Sequence, residues 1–275
     1  MKVFKNIFDF FINSSVWVAV SVCALVLVTY LNHDVPVNYT LLLLIFSGTI
    51  VGYNFVKYFE ESQLISSRFI DVFSGFFTYK KLIFYLSLIA MFVTGVCLFC
   101  LKIRTLLLLL LPMLLTFFYA VSFKEKTLRK ISGIKIYIVG LVWTVVTVLV
   151  PLQDTSTEIT TDVWVSLIQR FAFVLLLILP FDIRDMDVDD VELKTLPQRI
   201  GVKYTKMYGL LLAMLFLLLE FFKDEVLEVN LLVLPIVFIT SILFLVFATE
   251  KQSKYYSSFF VEGIPVFWLL LLLIL

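Results

Sequence analysis

Nine stretches of about twenty apolar residues recur along the chain, and they constrain its fold more than any other feature. A helix rises about 1.5 Å per residue, so each stretch can cross the roughly 30 Å hydrocarbon core of a bilayer. Each is predicted to be a helix, because a chain in lipid must satisfy its own backbone hydrogen bonds and barrel-like alternation is missing. The predicted spans are residues 11–31, 38–58, 81–101, 104–122, 133–152, 163–181, 205–222, 229–248 and 258–275.

Composition supports an all-α integral membrane protein with a single transmembrane domain over residues 1–275. Hydrophobic residues make up 61% of the chain and charged residues 16%, whereas soluble domains are roughly half apolar and a quarter charged. The formal net charge of +1 does not favour nucleic acid as a partner. Cys23, Cys97 and Cys100 lie in apolar runs, so no disulfide framework is expected.

The distribution of lysine and arginine predicts the orientation of the spans. With a cytoplasmic amino terminus, eighteen basic residues fall on the cytoplasmic side and four elsewhere, namely Lys102, Arg104, Arg170 and Lys223. The positive-inside rule therefore predicts a multi-pass protein of the inner or plasma membrane, with the amino terminus inside and the carboxyl terminus outside. Lys2 and Lys5 precede the first span as in a signal peptide, but no small-residue cleavage site follows, which favours a retained helix.

One acidic segment stands at the predicted cytoplasmic end of the sixth span. It holds six carboxylates in eleven residues: Asp182, Asp185, Asp187, Asp189, Asp190 and Glu192. If the helix continued at about 100° per residue, four of them would lie within about 80° of one another and point into one cleft. These four are Asp182, Asp185, Asp189 and Glu192.

Carboxylates this close repel one another by about 1–4 kcal/mol per pair unless a cation lies among them. Oxygen ligands with room for water suit Mg²⁺, which is usually held by one or two carboxylates and substrate phosphate oxygens. The plainer alternative is a solvated, charged loop. Basic residues that could bind phosphate lie on the same predicted side: Lys124, Lys126, Arg129, Lys130, Lys135, Arg199 and Lys203. Most of them are equally explained by the orientation signal.

The segment from Asp182 to Asp189, followed by Lys194-Thr-Leu-Pro-Gln-Arg-Ile-Gly201, resembles the second aspartate motif of the UbiA superfamily of membrane prenyltransferases. It is most similar to the menaquinone-pathway branch, in which Arg-Asp-x-x-x-Asp is followed by Thr-Leu and Gly. Tyr119-Ala-Val-Ser-Phe-Lys124 is similar to the tyrosine-containing stretch of that superfamily. The resemblance implies a bundle of nine helices around a central cavity open to the cytoplasm.

The resemblance also implies a mechanism. Mg²⁺ would bridge Asp182, Asp185 and Asp189 to the diphosphate of a prenyl donor, and a small or lipidic acceptor would attack the allylic carbon. These aspartates are the predicted catalytic and metal-binding residues. The predicted substrate-binding residues are Asn54, Lys57, Tyr119, Lys124, Arg129 and Arg199.

The first aspartate motif of the superfamily, Asn-Asp-x-x-Asp-x-x-x-Asp, is degenerate in this chain. Only Asn54 matches, while Phe55, Tyr58 and Ser62 occupy the three aspartate positions. Glu60 or Glu61 could approximate the last of them. Lys57 stands where metal ligands would be expected. Its ammonium is predicted either to bind diphosphate in place of one Mg²⁺ or to neutralise Asp185 and Asp189; a lysine that extends to the membrane interface is the alternative.

Glu262, near the start of the ninth span, is either interfacial or directed at the internal cleft. The preferred function is prenyl transfer by a UbiA-like protein with a degenerate first motif. The main rival is a non-catalytic relative that binds a prenyl lipid or a protein partner. A secondary transporter is disfavoured, because the span centres hold few ionisable groups and no clearly interrupted helices.

Overall fold

The computed structural model describes residues 2–64, 79–121, 133–189 and 193–275. These residues form helices and connecting turns, with no strand among them. The α-helices are α1 (Lys2–Asn13), α2 (Val16–Asn32), α3 (Tyr39–Leu64), α4 (Tyr79–Phe99), α5 (Ile103–Ala120), α6 (Lys135–Thr144), α7 (Val150–Asp154), α8 (Thr161–Asp185), α9 (Leu196–Leu218), α10 (Glu228–Val246) and α11 (Ile264–Ile274). A π-helical segment, Val145–Leu149, joins α6 to α7, and another, Tyr256–Val261, precedes α11.

The predicted number of spans is confirmed for the described residues. Eight helices, some built from joined segments, are long and apolar enough to cross a membrane. The pair formed by Lys5–Asn13 and Val16–Asn32, bent by 58°, adds a ninth when it is counted as one broken span. The chain is thus a multi-pass integral membrane protein of all-α class.

Helix α8 is the central helix of the bundle. It packs against α6, α9 and α10, and fifteen of its residues are buried, among them Phe173 and Leu179 with no exposed surface. Phe173 stacks on Phe216 of α9 and meets Trp268 of α11 edge to face, at centroid distances of 5.0 and 5.1 Å. The outer helices expose large apolar side chains instead, such as Phe92 of α4, as expected for a surface in lipid. The last turn of this buried helix carries the acidic segment.

Arg170 lies in the middle of α8 and is almost fully buried, at 4% exposure. Its guanidinium donates hydrogen bonds to the Leu25 carbonyl at 2.8 Å and to the Thr29 and Thr147 hydroxyls at 3.3 Å each. It also lies 5.2 Å from the ring centroid of Trp268. A buried guanidinium is costly unless its N–H groups have hydrogen-bond acceptors. Its acceptors lie on α2 and on the first π-helical segment, so Arg170 links both to α8.

A second buried polar cluster links α8, α9 and α10 at the end of the bundle opposite the acidic segment. Glu220 accepts hydrogen bonds from Gln169 at 3.0 Å, Lys223 at 2.6 Å and Asn230 at 2.8 Å. Glu220 is 2% exposed, and the ion pair with Lys223 is nearly as well shielded. A buried carboxylate with three donors is stable where an unpaired one would not be, so this cluster sets how the three helices meet.

Gly209 of α9 marks the closest approach of these helices. A Cβ atom there would meet Leu245 of α10 and would lie 2.8 Å from Leu179 of α8. Both leucines are buried, so neither can move aside without repacking the core. Small residues at such crossings allow membrane helices to approach closely.

We predict that Gly209→Ala lowers the free energy of unfolding by about 1–3 kcal/mol, because it overpacks this crossing. The matched control is Gly95→Ala on α4, where an added Cβ meets nothing within 4 Å. That change should be neutral or stabilising by up to about 1 kcal/mol. Thermal unfolding of the purified variants in detergent measures both. Equal effects at the two glycines would contradict the close packing described for α9.

Candidate functional site: two aspartates around a lysine

Asp182 and Asp189 converge on the side chain of Lys135. The Lys135 Nζ atom lies 3.0 Å from the Asp189 Oδ2 atom and 3.4 Å from the Asp182 Oδ1 atom. Asp182 is 1% exposed, and its second oxygen has no hydrogen-bond partner among the described residues. Unit charges 4 Å apart attract by roughly 4 kcal/mol at an effective dielectric constant near 20, so the ammonium offsets much of the cost of burying these carboxylates.

The last turn of α8 places Asp182 inside the bundle. Pro180, two residues earlier on the chain, has no N–H group, and its own carbonyl accepts hydrogen bonds from Gln252 at 2.8 Å and Ser257 at 3.3 Å. These bonds fasten the end of α8 to the segment that precedes α11. Asp182 is therefore held by its helix and by a second part of the chain.

Asp189 reaches the same place from a turn rather than from the helix. Helix α8 ends at Asp185, and the Asp189 N–H donates to the Asp185 carbonyl at 2.7 Å. Gln198 of α9 supports the turn by donating to the carbonyls of Met186 at 3.1 Å and Asp189 at 3.0 Å. The turn after α8, and not a continuation of the helix, therefore brings Asp189 next to Lys135 and Asp182.

Lys135 is the first residue of α6, and a glycine sets its position. Gly133 has φ of 74°, a left-handed conformation that favours glycine, and its N–H donates to the Leu193 carbonyl at 3.1 Å. A side chain at this position would also lie 3.0 Å from the Arg199 guanidinium. The start of α6 is therefore anchored to the segment that leads into α9, beside the turn that carries Asp189.

Asp185 does not join this pair. Its carboxylate accepts two hydrogen bonds from the neighbouring Arg184, at 2.7 and 2.8 Å, and Arg184 also donates to Ser258 at 3.1 Å. The expected helical continuation that would aim four carboxylates into one cleft is wrong, because α8 ends at Asp185. Asp190 and Glu192 lie outside the described residues.

Asn54 and Lys57 hold the bend between α1 and α2. Asn54 accepts a hydrogen bond from the Ser15 hydroxyl at 2.8 Å, and its amide donates to the Ser14 carbonyl at 3.1 Å and to Ser87 of α4 at 2.9 Å. Lys57 donates to the Ser15 hydroxyl at 2.8 Å and to the Asn13 carbonyl at 3.2 Å. Both side chains donate hydrogen bonds to backbone carbonyls, those of Ser14 and Asn13, at the bend between the two helices.

The expectation that Lys57 neutralises Asp185 and Asp189 is wrong for the described residues. Arg184 pairs with Asp185, and Lys135 pairs with Asp189. The charged group that acts on Lys57 is Glu262. Direct binding of diphosphate by Lys57 stays a prediction.

Glu262 is directed at the interior rather than at the interface. The positive charges that act on its carboxylate are those of Lys57 on α3 and Arg184 on α8. Its backbone carbonyl accepts a hydrogen bond from Ser21 of α2. Of the two positions considered from the sequence, the internal one is found, so the carboxyl-terminal span adds an acid to the region between α3 and α8.

Tyr119 of α5 is buried near the aspartates, and the charges of Asp182 and Asp189 act on its hydroxyl. Tyr53 of α3 is close enough to influence it too, and accepts a hydrogen bond from the Trp143 indole at 2.9 Å. Arg199 is exposed and packs beside the start of α6. The remaining predicted substrate-binding residues, Lys124 and Arg129, lie outside the described residues.

Helix α1 is tethered to the segment before α11. The Asp9 carboxylate accepts hydrogen bonds from the Lys254 ammonium and the Tyr255 hydroxyl, both at 2.6 Å. The bond to Asp9 raises the pKa of Lys254, because it stabilises the charged ammonium. Phe8 packs against Phe259 on the same face, at a centroid distance of 4.8 Å. These contacts hold α1 against the segment that precedes α11, the same segment that bonds to the end of α8.

The described residues do not fit the magnesium site implied by the resemblance. Within residues 2–64, 79–121, 133–189 and 193–275, no three His, Cys, Asp or Glu side chains are grouped so that they could hold a metal ion. Asp185 is engaged by Arg184, and an ammonium already lies between Asp182 and Asp189.

Comparison with solved structures identifies the architecture. An apo structure of a UbiA homolog from Aeropyrum pernix K1 superposes with a TM-score of 0.65 at 14% sequence identity, over 91% of this chain and 94% of that chain. A structure of digeranylgeranylglyceryl phosphate synthase superposes with a TM-score of 0.59 at 16% identity, over 100% of this chain and 98% of that chain. No family profile and no curated protein matches the sequence.

The chain is therefore a helical membrane protein with a UbiA-like fold. This confirms the fold expected from the second aspartate motif and from the number of spans. At 14% and 16% identity the similarity concerns the fold, so the activity must be argued from the residues of the site.

Two residues of the site were not singled out from the sequence. Lys135 is one of several basic residues that the sequence offers for phosphate binding or for orientation, and Arg184 is a basic residue inside the acidic segment. Neither spacing nor residue type predicts that Lys135 meets two aspartates more than forty residues later. Its position near the start of the predicted span 133–152 is the one available signal, because a charge there lies at the end of the bundle.

We predict that Asn54→Ala lowers the free energy of unfolding by about 1–3 kcal/mol, because it leaves the buried groups at the α1–α2 bend without partners. Ser87→Ala is the matched control, since it removes one of the three bonds of Asn54. Its effect should be smaller, about 0.5–1.5 kcal/mol. Thermal unfolding in detergent compares them. An Asn54→Ala variant as stable as the parent would exclude this role.

Proposed function

We propose that this chain transfers a prenyl group from a prenyl diphosphate to a small or lipidic acceptor within the membrane. The observation that carries the proposal is the buried carboxylate of Asp182, held with Asp189 around Lys135 at one end of a UbiA-like bundle. Ionisable side chains buried in a membrane protein are costly and are usually functional. The prenyl chain would lie between the apolar helices, in a central cavity that opens at this end.

The reaction needs positive charge where the diphosphate leaves. The bond between the allylic carbon and the diphosphate oxygen breaks, and its electron pair leaves with the diphosphate. The acceptor forms a bond to the same carbon and loses a proton, which the released diphosphate takes up. Lys135, Arg184 and Lys57 are described cations of this region, and their N–H groups would donate hydrogen bonds to the departing diphosphate beside the bonds they already make within the protein.

The other predicted residues have subsidiary roles in this proposal. Asp182 and Asp189 would hold Lys135 in position, and Asp185 would orient Arg184. Tyr119 would line the path of the allylic carbon near the two aspartates. Lys124, Arg129 and Arg199 would contribute further positive charge to the diphosphate, and Asn54 would shape the wall of the cavity through the bend it holds.

A non-catalytic protein that binds a prenyl lipid or a protein partner is the second candidate. It is favoured by one observation: Asn54 and Lys57, the polar residues of the first motif region, are bonded to the α1–α2 bend. In this case the cations would hold a lipid headgroup without transfer. Binding of a prenyl diphosphate without product formation distinguishes it from the enzyme.

Asp182→Asn is predicted to reduce prenyl transfer by about 10²-fold or more, because it removes the buried charge that holds Lys135. Asp187→Asn is the matched control: Asp187 lies on the same segment but is exposed. The assay uses the full chain in proteoliposomes with labelled prenyl diphosphates of several lengths and a panel of acceptors. Turnover by the parent that survives Asp182→Asn would contradict the proposed site, and binding without turnover in the parent would favour the second candidate.

The proposal places the aspartates on the cytoplasmic side, with the amino terminus inside and the carboxyl terminus outside, as the distribution of basic residues predicts. Fusion of a reporter that is active only in the cytoplasm should give signal at the amino terminus and none at the carboxyl terminus. A reporter that is active only outside should show the reverse. The opposite pattern would place the site on the outer face and contradict this orientation.

A further inference from the structure

We infer that Lys135 is a built-in cation that takes the place of a divalent metal ion between Asp182 and Asp189. The UbiA resemblance led to the expectation of Mg²⁺ at this position, and the described residues present an ammonium there instead. The resting protein would then hold no divalent cation at this pair of aspartates. This inference stands whether or not the chain transfers a prenyl group.

The geometry suits an ammonium rather than a metal ion. The Nζ atom lies 3.0 Å from Asp189 and 3.4 Å from Asp182, in the range of ionic contacts between nitrogen and oxygen. Mg²⁺ requires oxygens at about 2.0–2.1 Å in near-octahedral arrangement. Among the residues that the structure describes, Lys135 is the basic residue whose side-chain nitrogen lies within 4.0 Å of a carboxylate oxygen of Asp182 or Asp189.

Lys135 is placed here by the fold and is not a mobile surface lysine that happens to be near. The glycine conformation at Gly133 and its bond to Leu193 fix the start of α6. Gln198 fixes the turn that carries Asp189, and Asp182 is 1% exposed. Three separate parts of the chain therefore bring the charges together.

The formal charges around the two aspartates agree with Lys135 as the cation between them. Asp182, Asp189 and Lys135 together carry a formal charge of −1, from two carboxylates and one ammonium. Asp185 is already neutralised by Arg184. On α3, the described side chains at the first motif are Asn54, Phe55, Val56 and Lys57, none of which adds a carboxylate. Among these described side chains, one formal negative charge is left uncompensated at the pair of aspartates, fewer than the two charges of a divalent ion.

If Lys135 occupies the position of a cation, replacing it with an uncharged residue should allow a divalent metal ion to bind between the two aspartates. The experiment tests this expectation. The full-length protein, Lys135→Met and Lys251→Met are purified, and thermal unfolding is followed in EDTA and in a series of Mg²⁺ concentrations. Lys251 is the matched control, because it is exposed in the loop before the last span. Mn²⁺ binding, measured by electron paramagnetic resonance, provides a second readout.

The parent and Lys251→Met should have the same Tm with Mg²⁺ and with EDTA, and should bind no Mn²⁺ that depends on Asp182. Lys135→Met should gain roughly 3–6 °C in Tm at a Mg²⁺ concentration ten times its Kd. Adding Asp182→Asn to Lys135→Met should abolish that gain. Lys135→Arg keeps a cation and should remain insensitive to Mg²⁺.

Two results would overturn the inference. One is a parent protein whose Tm rises with Mg²⁺ and whose response is lost in Asp182→Asn, since a metal ion would then bind beside Lys135. The other is a folded Lys135→Met variant that does not respond to Mg²⁺ or Mn²⁺. If Lys135→Met does not fold, Mn²⁺ binding by the parent and by its Asp182→Asn variant decides the question alone.

Discussion

Charge buried in a lipid-embedded bundle needs a partner inside the protein, and that requirement organises this molecule. Asp182 and Asp189 share Lys135, Arg170 is surrounded by carbonyl and hydroxyl oxygens, and Glu220 has three donors. In each case at least one partner comes from a different helix: Lys135 of α6 meets Asp182 of α8, Arg170 of α8 meets α2, and Glu220 meets Gln169 of α8. The polar contacts therefore determine which helices meet, while the apolar surface between them supplies the contact area.

The bend between α1 and α2 shows how residues of a motif region can acquire a structural role. A break in a membrane helix exposes carbonyl and N–H groups that lipid cannot satisfy. Asn54 and Lys57 supply those bonds, and Ser15 links the two side chains. Lys57 also carries the charge that favours the ionised form of Glu262, so the bend and the electrostatics near the carboxyl-terminal span share this one side chain.

The similarity to the UbiA homolog and to digeranylgeranylglyceryl phosphate synthase shows that this bundle can be built from sequences that share 14% or 16% of their residues. Packing of apolar helices tolerates many substitutions of similar volume, because lipid and protein interior are both apolar. A site has no such tolerance: replacing a metal ion by an ammonium alters distances, charge and the number of ligands. The identity of the cation between the aspartates is for that reason the feature on which the chemistry of this chain depends.

Length and hydropathy are enough to predict the helical class and the number of spans, because crossing a bilayer requires long apolar helices whatever their neighbours are. The acidic segment at the end of α8 is read directly from the residues, and the UbiA-like fold is predicted from its resemblance to the second aspartate motif. The partners of the charged residues could not be predicted in this way. The helix ends at Asp185, Gly133 turns the chain toward Leu193, and only then does Lys135 reach Asp182 and Asp189. Such contacts join residues distant in sequence, and they depend on helix ends and turns whose positions the packed bundle decides.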